Sequence, residues 1–200
     1  PEADYRLRIF TPGIELAFAG YPTLGSAHAA IEAGRVAPRA GWVVQECGAG
    51  LIEIAVADQQ LVLTLPTPRI TALAPEDVRE LEAVLGGSVL HTAAPALVDV
   101  GPVWIVAELE SAETVLRLQP DLSRCAVLER RLHATGVTVF GVHRSGDADI
   151  EVRSFAPSCG VGEDPVCGSG NGSVAAFRRA RGSLRDPKAA YVAAQGRCIG

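Results

Sequence analysis

Acid, thiol and glycine are concentrated in one stretch, EDPVCGSGNGS, at residues 163–173. Its glycines let a backbone approach a ligand closely. The small residues that follow read as a helix. The first N–H groups of a helix have no partner within it and favour an anion such as a carboxylate. Gly168 and Ser169 stand at that start, and the Ser169 hydroxyl can donate as well. Asp164 supplies a carboxylate for moving a proton or for holding a substrate amine. Cys167 sits just before the helix, where position predicts a depressed pKa and a thiolate able to act as a base. A plainer reading fits the same residues: a Gly-rich turn with Asp164 as a cap and Cys167 as a buried apolar thiol.

A second junction, ELAFAGYPTLGS at residues 15–26, also runs from a glycine-containing loop into a helix. Gly20 and Tyr21 stand at its start. Two helix starts facing one cleft would hold both ends of a small anion, or bracket one carboxylate with positive dipole. His28, one or two turns further, fits a structural histidine better than a catalyst. In QECGAG, residues 45–50, the glycines make a turn, and Glu46 at a strand end fits a surface role better than an active one. His91, His133 and His143 have no recognisable partner. No metal-ligand set, no Walker-type phosphate loop and no Ser-His-Asp arrangement is evident. The expectation is chemistry with no metal and no cofactor.

The elements that position these residues follow from periodicity. Residues 5–11 alternate as a half-buried strand, Arg6 and Arg8 on one side and Tyr5, Leu7 and Ile9 on the other. Residues 22–33 form a helix with Leu24, Ala27, Ala30 and Ile31 on one face and Pro22 in its first turn. Strand-like runs follow at 42–46, 51–57 and 61–65. Pro75 opens a helix lined by Val78, Leu81 and Leu85 and ended by Gly86 and Gly87. Short β runs at 88–92, 97–100 and 103–109 come next. Ser111 and Asp121 read as N-caps of two helices, the second reaching about His133. Residues 137–143 and 149–155 make a hairpin. A Gly/Pro-rich loop, 156–166, then leads into a helix over 169–181. Residues 8–33 and 152–181 share one design of strand, glycine loop and small-residue helix. The division between two lobes, 1–100 and 101–200, falls near Val100, Gly101 and Pro102.

Of the 200 residues 48% are hydrophobic and 20% charged, enough apolar surface for a sizeable core. The net charge of −5 carries no block of like sign, which argues against a nucleic-acid partner and against a membrane-binding patch. No apolar run approaches the roughly 18 residues needed to span a bilayer. The first residues, Pro1-Glu2-Ala3-Asp4, do not resemble a signal peptide. The five cysteines, Cys47, Cys125, Cys159, Cys167 and Cys198, form no CxxC pair and read as reduced thiols of the cytoplasm. With no methionine present, either an initiator has been removed or the chain is a piece of a longer one.

Four segments together resemble the PhzF-like phenazine-biosynthesis isomerases, relatives of diaminopimelate epimerase. They are RIFTP (8–12), ELAFAGYPTLG (15–25), QECGAGLI (45–52) and EDPVCGSGNGS (163–173), in the family's order and spacing over nearly the whole chain. The resemblance implies an α+β, diaminopimelate epimerase-like fold: two pseudo-symmetric lobes, each a mixed sheet around a central helix, with both helix starts facing one cleft. It implies a cofactor-free isomerase that shifts a proton on a small carboxylate-bearing metabolite, with homodimers common. By motif, Asp164 matches the family's substrate-contacting aspartate. Gly168 and Ser169 match its anion-holding turn, and Gly20 the facing turn. Tyr21 departs from the histidine usual after that glycine. The family's main acid/base glutamate lies upstream of the first motif, and its last strands lie beyond residue 200, so each lobe is expected to lack strands here. Cys167 gives the Cys-Gly-Ser-Gly of the second cysteine motif of diaminopimelate epimerases. The first cysteine of that pair would fall at Ala19, so a two-thiol epimerase is not supported.

Two readings stand. One is an isomerase in which Asp164 orients or protonates the substrate, with Cys167 or an upstream glutamate as base. The other is a non-catalytic relative that binds a small carboxylate or a protein partner, which Tyr21 favours.

Overall fold

The structure, a computed structural model, describes residues 2–58, 60–65, 67–184, 186 and 189–199. The chain divides into two compact units, Pro1–Pro66 and Thr67–Gly200.

The first unit contains β1 (Tyr5–Arg6), β2 (Ile9–Phe10), β3 (Glu15–Leu16), α1 (Gly20–Glu32), β4 (Trp42–Cys47), β5 (Gly50–Ala57) and β6 (Gln60–Leu63). Four strands form a sheet in the order β1-β4-β5-β6, with β1 parallel to β4 and the other pairs antiparallel. Alternate residues of β4, Val43, Gln45 and Cys47, are buried, as are Ile54 of β5 and Thr23 and Ala27 of α1. The run 5–11, which alternates as one strand, is broken after Arg6. Tyr5 and Arg6 pair with Gln45 and Glu46, whereas Ile9 and Phe10 fold back on Leu16 and Glu15. Period two holds on both sides of the break, so a change of pairing partner leaves no mark on the pattern.

The second unit contains β7 (Arg69–Ala72), α2 (Pro75–Leu85), β8 (Ala96–Asp99), β9 (Val103–Glu108), α3 (Ala112–Arg117), α4 (Leu122–Leu132), β10 (Gly136–Val142), β11 (Ile150–Ala156), β12 (Val161–Asp164), α5 (Gly168–Ala180) and β13 (Ala193–Gln195). The sheet order is β12-β11-β10-β9-β8-β7, with β13 also paired to β11. The helix signals act as the sequence predicts. Pro75 opens α2, and Gly86 ends it at φ 67°. The side chains of Ser111 and Asp121 accept from the N–H groups of Thr114 and Arg124. Residues 88–92 are not a strand. The Leu90 amide bonds the Glu108 carbonyl, and the chain then turns through a 3-10 segment at His91–Ala93. The turn at residues 100–102, where the sequence suggests a division, joins β8 to β9 within this unit, Val98 opposite Trp104.

Both faces of this sheet are covered. Ile105, Ala107, Val137, Val139 and Phe155 pack with Leu81, Leu85 and Leu128 of α2 and α4. Trp104, Val106, Phe140, Ile150 and Val152 pack with Val174 and Phe177 of α5. Burial on both faces explains why β9 and β10 read as continuous apolar runs. No described helix is long and apolar enough to cross a membrane.

One cation is buried in the first of these layers. Arg153 of β11 makes a two-pronged pair with Glu163 at 2.9 and 2.7 Å. Its remaining terminal nitrogen donates to the Val115 and Leu118 carbonyls at the end of α3, at 3.2 and 2.8 Å. The carbonyls at a helix end need such donors. Removing one partner of a buried pair leaves an uncompensated charge, so Arg153→Ala should lose about 3–5 kcal/mol of stability. Denaturant unfolding measures it, and a loss no larger than that of an exposed arginine would refute the buried-pair assignment.

Candidate functional site

Alternation along β12 separates two neighbouring acids. Glu163 is turned to Arg153, and Asp164, opposite Ser154, lies on the other face, the one α5 covers. One oxygen of Asp164 accepts from the Val166 amide at 3.0 Å, an aspartate turn of the kind that favours this residue before a helix. Cys167 is the N-cap of α5: its Sγ accepts from the Gly170 amide at 3.3 Å. Sulfur here takes the role that Ser or Asp usually plays. The amides of Gly168 and Ser169 have no partner among the described residues, as expected for a first helical turn. Ser169 is buried, and its hydroxyl accepts from the Trp104 indole at 3.1 Å. What the serine leaves open is its backbone N–H.

The helix start is pressed onto the sheet. A Cβ at Gly170 would come within 2.7 Å of Ser154 Oγ, 2.8 Å of Thr138 Oγ1 and 3.0 Å of Cys167 Sγ. Ser154 and Thr138 hydrogen-bond each other at 3.0 Å. Cys167 is thus enclosed, and burial first, then the charge of Asp164, push its thiol up to about 11. The bonds from Gly170, Ser169 and Ser154 pull the other way and do not win. The depressed pKa expected from a helix start is therefore reversed, because that effect assumes a thiol in contact with water.

The first unit repeats the design without the acid or the thiol. In each, a strand of an antiparallel pair ends three residues before the helix, residues 17–19 before α1 and 165–167 before α5. Ala19 occupies the cap position, extended and without a side-chain bond. Gly20 is buried and Tyr21 is 61% exposed. The amides of Gly20 and Tyr21 have no partner among the described residues. Gly48 passes so close that its Cβ would lie 2.9 Å from Ala17 Cα, and the Ala49 amide donates to the Ala17 carbonyl at 3.0 Å.

Beneath α1 runs a chain of bonds that spacing does not reveal. The Tyr5 hydroxyl donates to Gln45 Oε1 at 2.9 Å, and Gln45 Nε2 donates to Thr23 Oγ1 at 3.1 Å. Burial raises the Tyr5 hydroxyl to about 12. His28 is exposed beside Glu32 and Glu46 is exposed beside Arg6, both at 3.8 Å, which agrees with surface roles. His143, assigned no partner from sequence, lies 3.0 Å from the fully buried Glu151. The structure thus gathers Asp164, Cys167, Gly168 and Ser169 at one junction, and Gly20 and Tyr21 at the matching junction of the other unit. Among the described residues, no group of three His, Cys, Asp or Glu side chains could hold a metal ion.

The whole chain, residues 1–200, matches the PhzC-PhzF family, described as phenazine biosynthesis-like protein, and it belongs to that family. Antisense-enhancing sequence 1 of Schizosaccharomyces pombe is 40% identical over 184 residues, 88% of this chain and 62% of that protein. A protein of Deinococcus radiodurans named as an uncharacterized isomerase is 31% identical over 209 residues, 98% of this chain and 66% of its own length. The chain therefore spans less than two thirds of these relatives. The crystal structure of a Bacillus anthracis PhzF-family protein aligns with a TM-score of 0.79 at 19% identity, covering 97% of this chain and 68% of the other. A hydroxyproline epimerase from Agrobacterium vitis aligns at 0.65 and 17% identity, covering 98% and 59%. The α+β fold is of the diaminopimelate epimerase-like type these proteins share.

The raised thiol pKa sets a clear expectation. A pKa raised above the unfolded value of roughly 8.5 means that folding favours the neutral thiol. Stability from this group is intact below that value and is lost as pH rises through about 11. Iodoacetamide at pH 8 should label exposed Cys198 quickly and leave Cys167 untouched. Peptide mass spectrometry reads both sites, and Cys167 labelling as fast as Cys198 would show an accessible thiolate.

Proposed function

We propose that this protein is a cofactor-free isomerase or epimerase that moves a proton on a small carboxylate-bearing substrate. The observation that carries the reading is the pair of unpartnered amides, Gly168 and Ser169, at the start of α5 beside the Asp164 carboxylate. Amides so placed hold a carboxylate and stabilise the negative charge that develops when the neighbouring carbon loses its proton. Asp164 keeps one oxygen on the Val166 amide, which orients the other for the substrate. Cys167, held as a neutral thiol, can give a proton but is a poor base. In this reading a carboxylate elsewhere in the protein takes the proton. Relatives named as isomerases support the reaction class, and the family's description supports a place in secondary-metabolite synthesis. A cytoplasmic homodimer completes the proposal.

A specific observation favours the alternative of a binding protein. Tyr21, largely exposed, stands where the resemblance calls for histidine, so the imidazole of that position is missing. Incubation of the complete protein in D₂O with a panel of small amino and hydroxy acids separates the two. Deuterium should enter at carbon, and Asp164→Asn should slow it by about 10²–10⁴-fold, the usual contribution of a positioned acid or base. Carboxylate binding without any exchange would favour the binding protein.

A further inference from the structure

The carboxamide of Gln195 lies inside the turn that carries Asp164. Its Nε2 donates to the Asp164 carbonyl at 2.8 Å, and its Oε1 accepts from the Cys167 amide at 3.2 Å. In an ordinary four-residue turn those two backbone groups bond each other. Here a side chain from 28 positions beyond Cys167 has been inserted between them. Asn171, in the first turns of α5, fixes which way round the carboxamide sits. Its Nδ2 donates to Gln195 Oε1 at 2.8 Å and to the Cys167 carbonyl at 3.0 Å. With Oε1 engaged by two donors, the donor end of Gln195 is left to face Asp164.

The sheet delivers Gln195 to this spot. β13 runs parallel to β11 with Gln195 opposite Val152, and β12 pairs with β11 where Asp164 stands opposite Ser154. The other edge of β11 is taken by β10, so β12 and β13 lie end to end along one edge. The loop of residues 165–167 leaves that edge where Gln195 arrives. Gly196, at φ 90°, then passes so close to Pro165 that a Cβ would lie 2.8 Å from its carbonyl oxygen. The same approach occurs at the other junction, between Gly48 and Ala17. There a backbone amide, that of Ala49, makes the contact. At the junction that carries the acid, a side-chain amide reaches the carbonyl one residue earlier, that of Asp164.

We propose that Gln195 is a positioning residue of the candidate site, whose carboxamide holds the Asp164–Cys167 turn open and sets the Asp164 carboxylate against the free amides of Gly168 and Ser169. The proposal rests on reading that junction as the substrate site. Without the carboxamide, the Asp164 carbonyl and the Cys167 amide both lose their partner. The turn is then unpinned, and the carboxylate shifts relative to the helix start. A displacement of about 1 Å at a reacting group can lower a rate by about 10²-fold.

The test uses Gln195→Met in the complete protein, which keeps most of the volume and removes all three bonds. Three readouts are compared with wild type: sulfate affinity by calorimetry, hydrogen exchange of the Cys167 amide by NMR, and kcat and KM for deuterium incorporation. The variant should unfold as cooperatively as wild type, bind sulfate more weakly and lose protection at Cys167. Its kcat should fall about 10²-fold with a smaller change in KM. Asn171→Ala, which frees the carboxamide to turn over, should shift all three readouts in the same direction, and it carries the comparison if Gln195→Met does not fold. A Gln195→Met protein that binds sulfate and turns over like wild type overturns the proposal and leaves the isomerase reading standing. Sulfate binding that depends on Gln195, in a wild type with no exchange at carbon, overturns the isomerase reading and keeps the positioning role. A wild type that binds neither sulfate nor any small carboxylate overturns both.

Discussion

The guanidinium of Arg153 is the charge around which the second unit is arranged. It lies between β11 and the helical layer, where an unpaired cation would be costly. Each of its bonds therefore fixes a neighbour. Two hold Glu163 and so set the register of β12, and two hold the last carbonyls of α3. Because side chains alternate along a strand, anchoring Glu163 on one face settles that Asp164 appears on the other. The acid at the candidate site is thus aimed by an ion pair on the opposite side of the sheet. β11 carries the consequence further, since Ser154, Val152 and Arg153 each meet a different part of the site's surroundings.

Both units solve the same problem, which is how to end a strand and begin a helix with open amides at the turn. In each, three residues separate the two elements, and a glycine just after another strand passes close by. The versions differ in their polar groups. The first unit has alanines at the turn and places its bonds under the helix, through Tyr5, Gln45 and Thr23. The second places an acid, a capping thiol and a carboxamide in the turn itself.

Local signals were legible and distant ones were not. The caps at Ser111 and Asp121, the glycine after α2, the hairpin of β10 and β11, and both junction helices follow from residues within a turn or two of each other. Asp164, Cys167, Gly168 and Ser169 were found together because they are adjacent in the chain. Gln195 and Trp104 reach the same place from 28 and 65 positions away, relative to Cys167 and Ser169. Nothing in an isolated Gln-Gly pair or an indole announces that contact. The protonation of Cys167 departs from the sequence expectation for a related reason. Its neighbours in sequence suggest a helix start, and its burial is decided by β10 and β11, which place Thr138 and Ser154 against Gly170. Likewise β12, inside what reads as a loop, exists because Glu163 has an arginine to meet.

The pairing of β13 with β11 also orders events in time. Chains emerge from the ribosome at about 5–20 residues per second, and contacts of long sequence separation form late. Arg153, Glu163, Asp164 and the whole of α5 leave the ribosome ahead of Gln195. The turn that carries the acid receives its last bonds from a strand more than forty positions after the residues it pairs with, Ile150 with Ala193. A nascent chain can therefore bury its core before it has a finished site, so binding competence is acquired after compactness.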